Sequence, residues 1–191
     1  MDKIKQGFSG NIGSLIPLLD KDGKPMYKSG LLWARIPLFD YRVDKKHPLI
    51  YTDKEGNQYS LKFHIQTDGG SIPPICQIIP FAHLNPLNFP RAYLAHDSVY
   101  QYGGMFIRYF DEETFKFRLF TRQQTDGLMS DWLYYDGANW FDRRAICTGL
   151  AAGSWAIWNS SKHIDQKISR VADGIDVYDR AGNLIEKNSK S

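Results

Sequence analysis

A chain of 191 residues with 14% aromatics can close one sizeable core without staples, burying about 70% of the surface its unfolded form exposes. With 24% charged residues and a formal net charge of only +3, it reads as globular and not disordered. Basic residues come singly or in pairs such as Lys45–Lys46 and Arg143–Arg144, too dispersed to track a phosphate backbone, so no nucleic-acid partner is expected.

The opening stretch, "MDKIKQGFSGNIGS", lacks the apolar run of a signal peptide. The first half then reads as strands joined by tight turns. "PLLDKDGKPMY" and "IYTDKEGNQYSLKFHIQ" each place Asp-Lys-x-Gly between apolar runs, the composition of hairpin loops. In the second, Leu61, Phe63 and Ile65 alternate with Lys62, His64 and Gln66, which puts His64 on the polar face. "TDGGSIPP" follows, its glycines permitting tight backbone and its prolines ending any ladder. Pro90 suits the first turn of a helix running to about Gly103.

A hairpin, "MFIRYFDEETFKFRLF", separates that helix from the next. Thr121 and Gln124 have the spacing of a capping box, and Leu128, Met129, Trp132 and Leu133 then recur at helical period. A third helix over about 142–158 is apolar nearly all round, so it is expected to be the most buried of the three. Its apolar run, "AICTGLAAGSWAIW", is 14 residues long, whereas a membrane-spanning helix needs about 20. After residue 160 comes a polar C-terminal tail (161–191) with one further hairpin, "IDVYDRAGNLIE". The expected fold is a single α+β domain over 1–160, a twisted antiparallel sheet with hairpins packed against about three helices. Cys76 and Cys147 sit on different elements and cannot build a zinc site alone, which suits a protein made in a reducing compartment.

Four polar side chains stand where a core would otherwise be apolar. On the first helix, His96 and Tyr100 are four apart and share a face, with Asp97 turned about 100° away. An H-D-x-x-Y helix can present an imidazole base beside a carboxylate, or a buried polar pair that fixes the helix. On the second helix, Arg122 and Asp126 are four apart on the flank of the apolar stripe, whereas Asp131 points away. An inward guanidinium and carboxylate are costly unless paired or used, and an i,i+4 pair pinning the helix competes with a site role. The "TDGGSIPP" loop adds Asp68 and Ser71. Ser71 lacks the strand–G-x-S-x-G–helix setting of a nucleophile, and both residues suit turns that bond their own backbone.

Taken together and in this order, "LIYTDKEGNQYSLKFHIQTDGGSIPP", "AYLAHDSVY", "TRQQTDGLMSDWL" and "RRAICTGLAAGSW" resemble a phage-associated family, domain of unknown function family 1353. That family's pattern joins T-D-x-A-S-I-P, H-D-x-x-Y and R-x-x-x-D to a closing Gly- and Trp-containing helix. The resemblance covers roughly residues 45–158 and points to Asp68, Ser71, Ile72, Pro73, His96, Asp97, Tyr100, Arg122 and Asp126. Gly70 stands where the family usually has Ala. The resemblance implies a bacteriophage protein without implying a reaction; with no signal peptide, the expected location is the host cytoplasm when made, with the virion as its later place. H-D-x-x-Y is also similar to the active-site helix of secreted phospholipases A2, but the cysteines and glycine-rich calcium loop of those enzymes are missing here.

Two functions follow as expectations. In one, a metal-dependent hydrolase acts on a bacterial envelope component. His96 is then general base or ligand, Asp97 and Asp126 hold a divalent cation (Ca, Mg or Mn), and Arg122 clamps an oxyanion or phosphate. Asp68, Ser71 and Tyr100 line that site. In the other, the chain is a virion structural or assembly protein that packs against other phage proteins, and the same cluster locks helix to helix.

Overall fold

The computed structural model describes residues 4–29, 35–67, 88–160, 175–179, 181 and 183–186. Among them run twelve short strands and three helices: β1 (Gly7–Ser9), β2 (Ser14–Pro17), β3 (Tyr27–Ser29), β4 (Arg35–Pro37), β5 (Phe39–Arg42), β6 (Ile50–Thr52), β7 (Gln58–Ser60), β8 (Ile65–Thr67), α1 (Pro90–Tyr102), β9 (Gly104–Arg108), β10 (Lys116–Leu119), α2 (Arg122–Tyr135), α3 (Trp140–Ser160), β11 (Val177–Tyr178) and β12 (Leu184–Glu186). The main sheet has the order β1-β6-β7-β9-β10-β11-β12; a smaller one has β2-β5-β8, and β3 pairs with β4. Every pairing is antiparallel except β10–β11. The expected α+β architecture holds. Among the described residues, no helix is long and apolar enough to cross a membrane.

The Asp-x-x-Gly turns share one device. Asp20, Asp53 and Asp179 each accept, on Oδ1, the backbone N–H four residues on, at 2.9, 2.9 and 2.8 Å. A carboxylate bonded this way holds the turn in the shape that a ladder bond would otherwise impose. Gly23 (φ 77°) and Gly56 (φ 88°) take the left-handed conformation that these turns require.

The alternation through residues 61–66 is real, but it does not mark one strand. Leu61 and Ile65 are buried while Lys62, His64 and Gln66 are exposed. Yet β7 ends at Ser60 in the main sheet and β8 begins at Ile65 in the small one, so the chain changes sheets between them. His64, exposed as expected, uses Nδ1 to accept the Val43 N–H at 3.1 Å and so ties that crossing to the end of β5.

The core lies between the main sheet and the helices. Trp132, fully buried, meets Tyr51 edge-on at 6.4 Å between centroids, and Tyr59, Ile107, Met129 and Leu133 complete the layer. Successive strand residues point to opposite faces. Met105 and Ile107 of β9 therefore join the helices, while Phe106 packs behind the sheet on Phe117 and Val177. Val177 belongs to β11, which extends the sheet beside β10 and adds this side chain to the rear cluster.

The expectation that the third helix is the most buried does not hold over its described side chains. Within residues 142–151, Asp142, Ile146, Gly149 and Leu150 are buried but Arg144, Thr148 and Ala151 are exposed, whereas α1 buries eight of its 13 residues. The reason is position: α1 touches β8, β9 and α2, while α3 packs mainly on α2.

Candidate functional site

The site begins with how α1 and α2 are held. Phe89, the residue that opens α1, has no side chain able to cap it. Asp136, which closes α2, does that work from the other helix: its Oδ2 accepts the N–H groups of Arg91 at 2.8 Å and Ala92 at 3.1 Å. Burial pushes this carboxyl above the usual range, against the pull of those two bonds and of Arg91. At its own start α2 has the expected capping box, with Thr121 accepting from the Gln124 N–H and Gln124 accepting from the Thr121 N–H. Gly103 ends α1 at φ 73°, its N–H donating to Val99 O. Both helices are thus fixed in phase, and that phase turns His96 toward Asp126.

The structure brings His96, Asp97, Arg122, Asp126 and Tyr100 into one cluster. His96 is 5% exposed and has a carboxylate on each ring nitrogen: Asp126 Oδ1 is 3.5 Å from Nε2, and Asp97 Oδ1 is 3.8 Å from Nδ1. Asp126 is held from two further sides, by the Tyr100 hydroxyl donating to Oδ1 at 2.9 Å and by Arg122 Nη1 donating to Oδ2 at 3.2 Å. Asp97 is anchored by the Thr67 hydroxyl, which donates to Oδ2 at 2.5 Å. Tyr100 stacks on the imidazole at 4.2 Å and meets Trp158 of α3 edge-on at 4.9 Å.

The electrostatics of the imidazole follow from this frame. Burial works against its charged form, but the hydrogen bonds and charges of Asp126 and Asp97 outweigh it, and the pKa of His96 is raised. The two carboxylates are gripped by short bonds, whereas the contacts to the imidazole are long for charge-assisted hydrogen bonds, which run about 2.7–2.9 Å. The imidazole therefore has the longest polar contacts of the cluster. The side chains of Asp126 and Arg122 remain 17% and 27% exposed, so the cluster meets solvent on the α2 side.

The carboxylate pair does not fit a shared divalent ion. The imidazole lies between Asp97 and Asp126, one on each nitrogen, so one ion could reach both only by displacing it. At Asp126 such an ion would also face the Arg122 guanidinium across 3.2 Å. Among the described residues, no group of three or more His, Cys, Asp or Glu is arranged to hold a metal ion.

Asp68 and Ser71, with Ile72 and Pro73, lie outside the described residues. Thr67, the residue before Asp68, is the member of the cluster that sequence reasoning missed. Its signal was present: two residues after Ile65 on a strand, it falls on the same inward face. No family model matches the chain, and neither a curated protein nor a solved structure does.

Proposed function

We propose that this chain is a bacteriophage protein that hydrolyses a component of the bacterial envelope by general acid–base catalysis at His96, without an ion shared by Asp97 and Asp126. The observation that carries the reading is the buried imidazole, flanked at 3.5 and 3.8 Å by two anchored carboxylates that raise its pKa. A protonated imidazole with long hydrogen bonds is suited to donate to a leaving group, since such contacts commonly tighten only around a substrate. In this scheme water attacks the scissile centre, Asp126 accepts the proton of that water, and His96 protonates the departing oxygen. Arg122, the most exposed charged group of the cluster, meets the negative charge that develops on the attacked centre. The phage origin and the envelope substrate rest on the resemblance to family 1353.

A second reading, a virion structural or assembly protein made in the host cytoplasm, is favoured by one feature. The Thr67–Asp97 and Tyr100–Asp126 bonds tie α1 to β8 and to α2, as a purely structural lock would. Purified sacculi and envelope phospholipid vesicles separate the two readings when soluble products are measured after incubation with wild type and His96→Gln in excess chelator. The hydrolase reading expects wild-type release in chelator and a loss of about 10²–10⁴-fold in the variant at matched stability. No release by wild type turns the case to the structural reading. Release that chelator abolishes restores metal-assisted hydrolysis.

A further inference from the structure

We propose a second, separate binding site, a carbohydrate pocket on the opposite flank of α2. Asp131 is turned about 140° around that helix from Asp126. There a cavity of about 350 Å³ opens between the β6–β7 hairpin, the end of α2 and the start of α3, within the range of about 300–1,000 Å³ seen for small-molecule sites. Tyr51, Tyr59, Tyr134 and Tyr135 line it, together with Asp131 and Arg143.

The charges of this cavity nearly cancel, with Asp53, Glu55 and Asp131 standing against Lys54 and Arg143. Asp53, also in the wall, is saturated by the Glu55 and Asn57 N–H groups, the Asn57 amide and the Tyr59 hydroxyl. Glu55 is matched by Lys54 at 3.5 Å. Beyond these, the lining holds one further carboxylate and one guanidinium. Asp131 is an exposed carboxylate whose charge reaches the Tyr51 hydroxyl. Arg143 lies with its guanidinium carbon 4.9 Å from the Tyr134 ring centre, at the wall of the cavity.

A cation would meet Arg143 and an anion would meet Asp131, whereas a neutral ligand whose groups both donate and accept satisfies each. Sugar hydroxyls do both, and Tyr134, 55% exposed, is the ring that can stack on the C–H side of a pyranose, while the buried Tyr51 and Tyr59 form the floor. The site stands independently of the hydrolysis reading.

The test is an array of neutral bacterial-envelope oligosaccharides, followed by calorimetry with the strongest binder and with lysyl and glutamyl dipeptides as charged controls. Saturable binding of a neutral oligosaccharide is expected, weakened about tenfold or more by Tyr134→Ala and by Asp131→Asn. Both positions are exposed, Tyr134 by 55%, so the variants are expected to fold, and their melting curves check it. Absence of saturable binding, binding unchanged in both variants, or tighter binding of a charged dipeptide overturns the proposal. Because binding is read without hydrolysis, such a failure leaves the role of His96 standing.

Discussion

Replacing Asp126 with Asn keeps the shape of the side chain and removes the charge on which the cluster turns. Three contacts change. The Tyr100 hydroxyl, at 2.9 Å, loses a charged acceptor for a neutral one, a difference of about 1 kcal/mol. The i,i+4 pair with Arg122, partly open to solvent, contributes about 0.3–0.5 kcal/mol and is lost. The imidazolium of His96 loses the nearer of its two carboxylates, and burial then favours its neutral form. The first two together predict a destabilisation of about 1.3–1.5 kcal/mol, to which the loss at the imidazole adds in mildly acidic solution.

The pH dependence carries the sharper test. A histidine whose folded pKa is raised contributes stability that is fully present below its unfolded value, about 6.5, and is lost as pH rises through the folded value. The gap between wild type and Asp126→Asn is therefore widest below about pH 6.5 while Asp126 remains ionised, and it narrows as the solution becomes alkaline. Urea midpoints across that range measure the gap, and an NMR titration of the His96 ring protons shows the pKa falling in the variant. A gap that stays constant with pH, or a ring pKa that does not fall, refutes the account of an imidazole held charged by Asp126.

Two further outcomes are expected. Arg122→Ala should cost only about 0.5–1 kcal/mol in denaturant unfolding, because the pair is partly exposed and Asp126 keeps Tyr100; a loss of about 3 kcal/mol or more would show a desolvated pair instead. Thr67→Val removes the short anchor of Asp97 and should lower stability by about 1–2 kcal/mol, whereas a valine variant as stable as wild type would mean that water replaces the hydroxyl without loss.

Local chemistry was legible wherever one segment sufficed to decide it. The capping box at Thr121 and Gln124, the left-handed stop at Gly103 and the aspartate-held turns each depend on residues within five positions of one another. Their geometry follows from the chain itself. The placement of His96, Tyr100, Arg122 and Asp126 on their helices was readable for the same reason, since helical phase is a property of spacing. Thr67 was readable in principle from the two-residue period with Ile65, but nothing local said that its hydroxyl would meet a helix 30 residues away.

Local sequence was enough for the hairpin turns, for the three helices and for the polar residues that the first two turn inward, though the third helix runs two residues further at each end than its apolar pattern. Only the tertiary structure decided that the chain leaves the main sheet after Ser60, because strand alternation looks the same in either sheet. It also decided that β11 adds in parallel to β10 and buries Val177, a pairing between segments some 60 residues apart that no periodicity records. The same holds for the burial of α1 over α3: an apolar helix is buried only where neighbours cover it, and β8, β9 and α2 happen to surround α1. The site itself belongs to this second class. Asp136 caps a helix that precedes it in sequence, and that single long-range contact helps set the helix phase in which Asp126 faces His96.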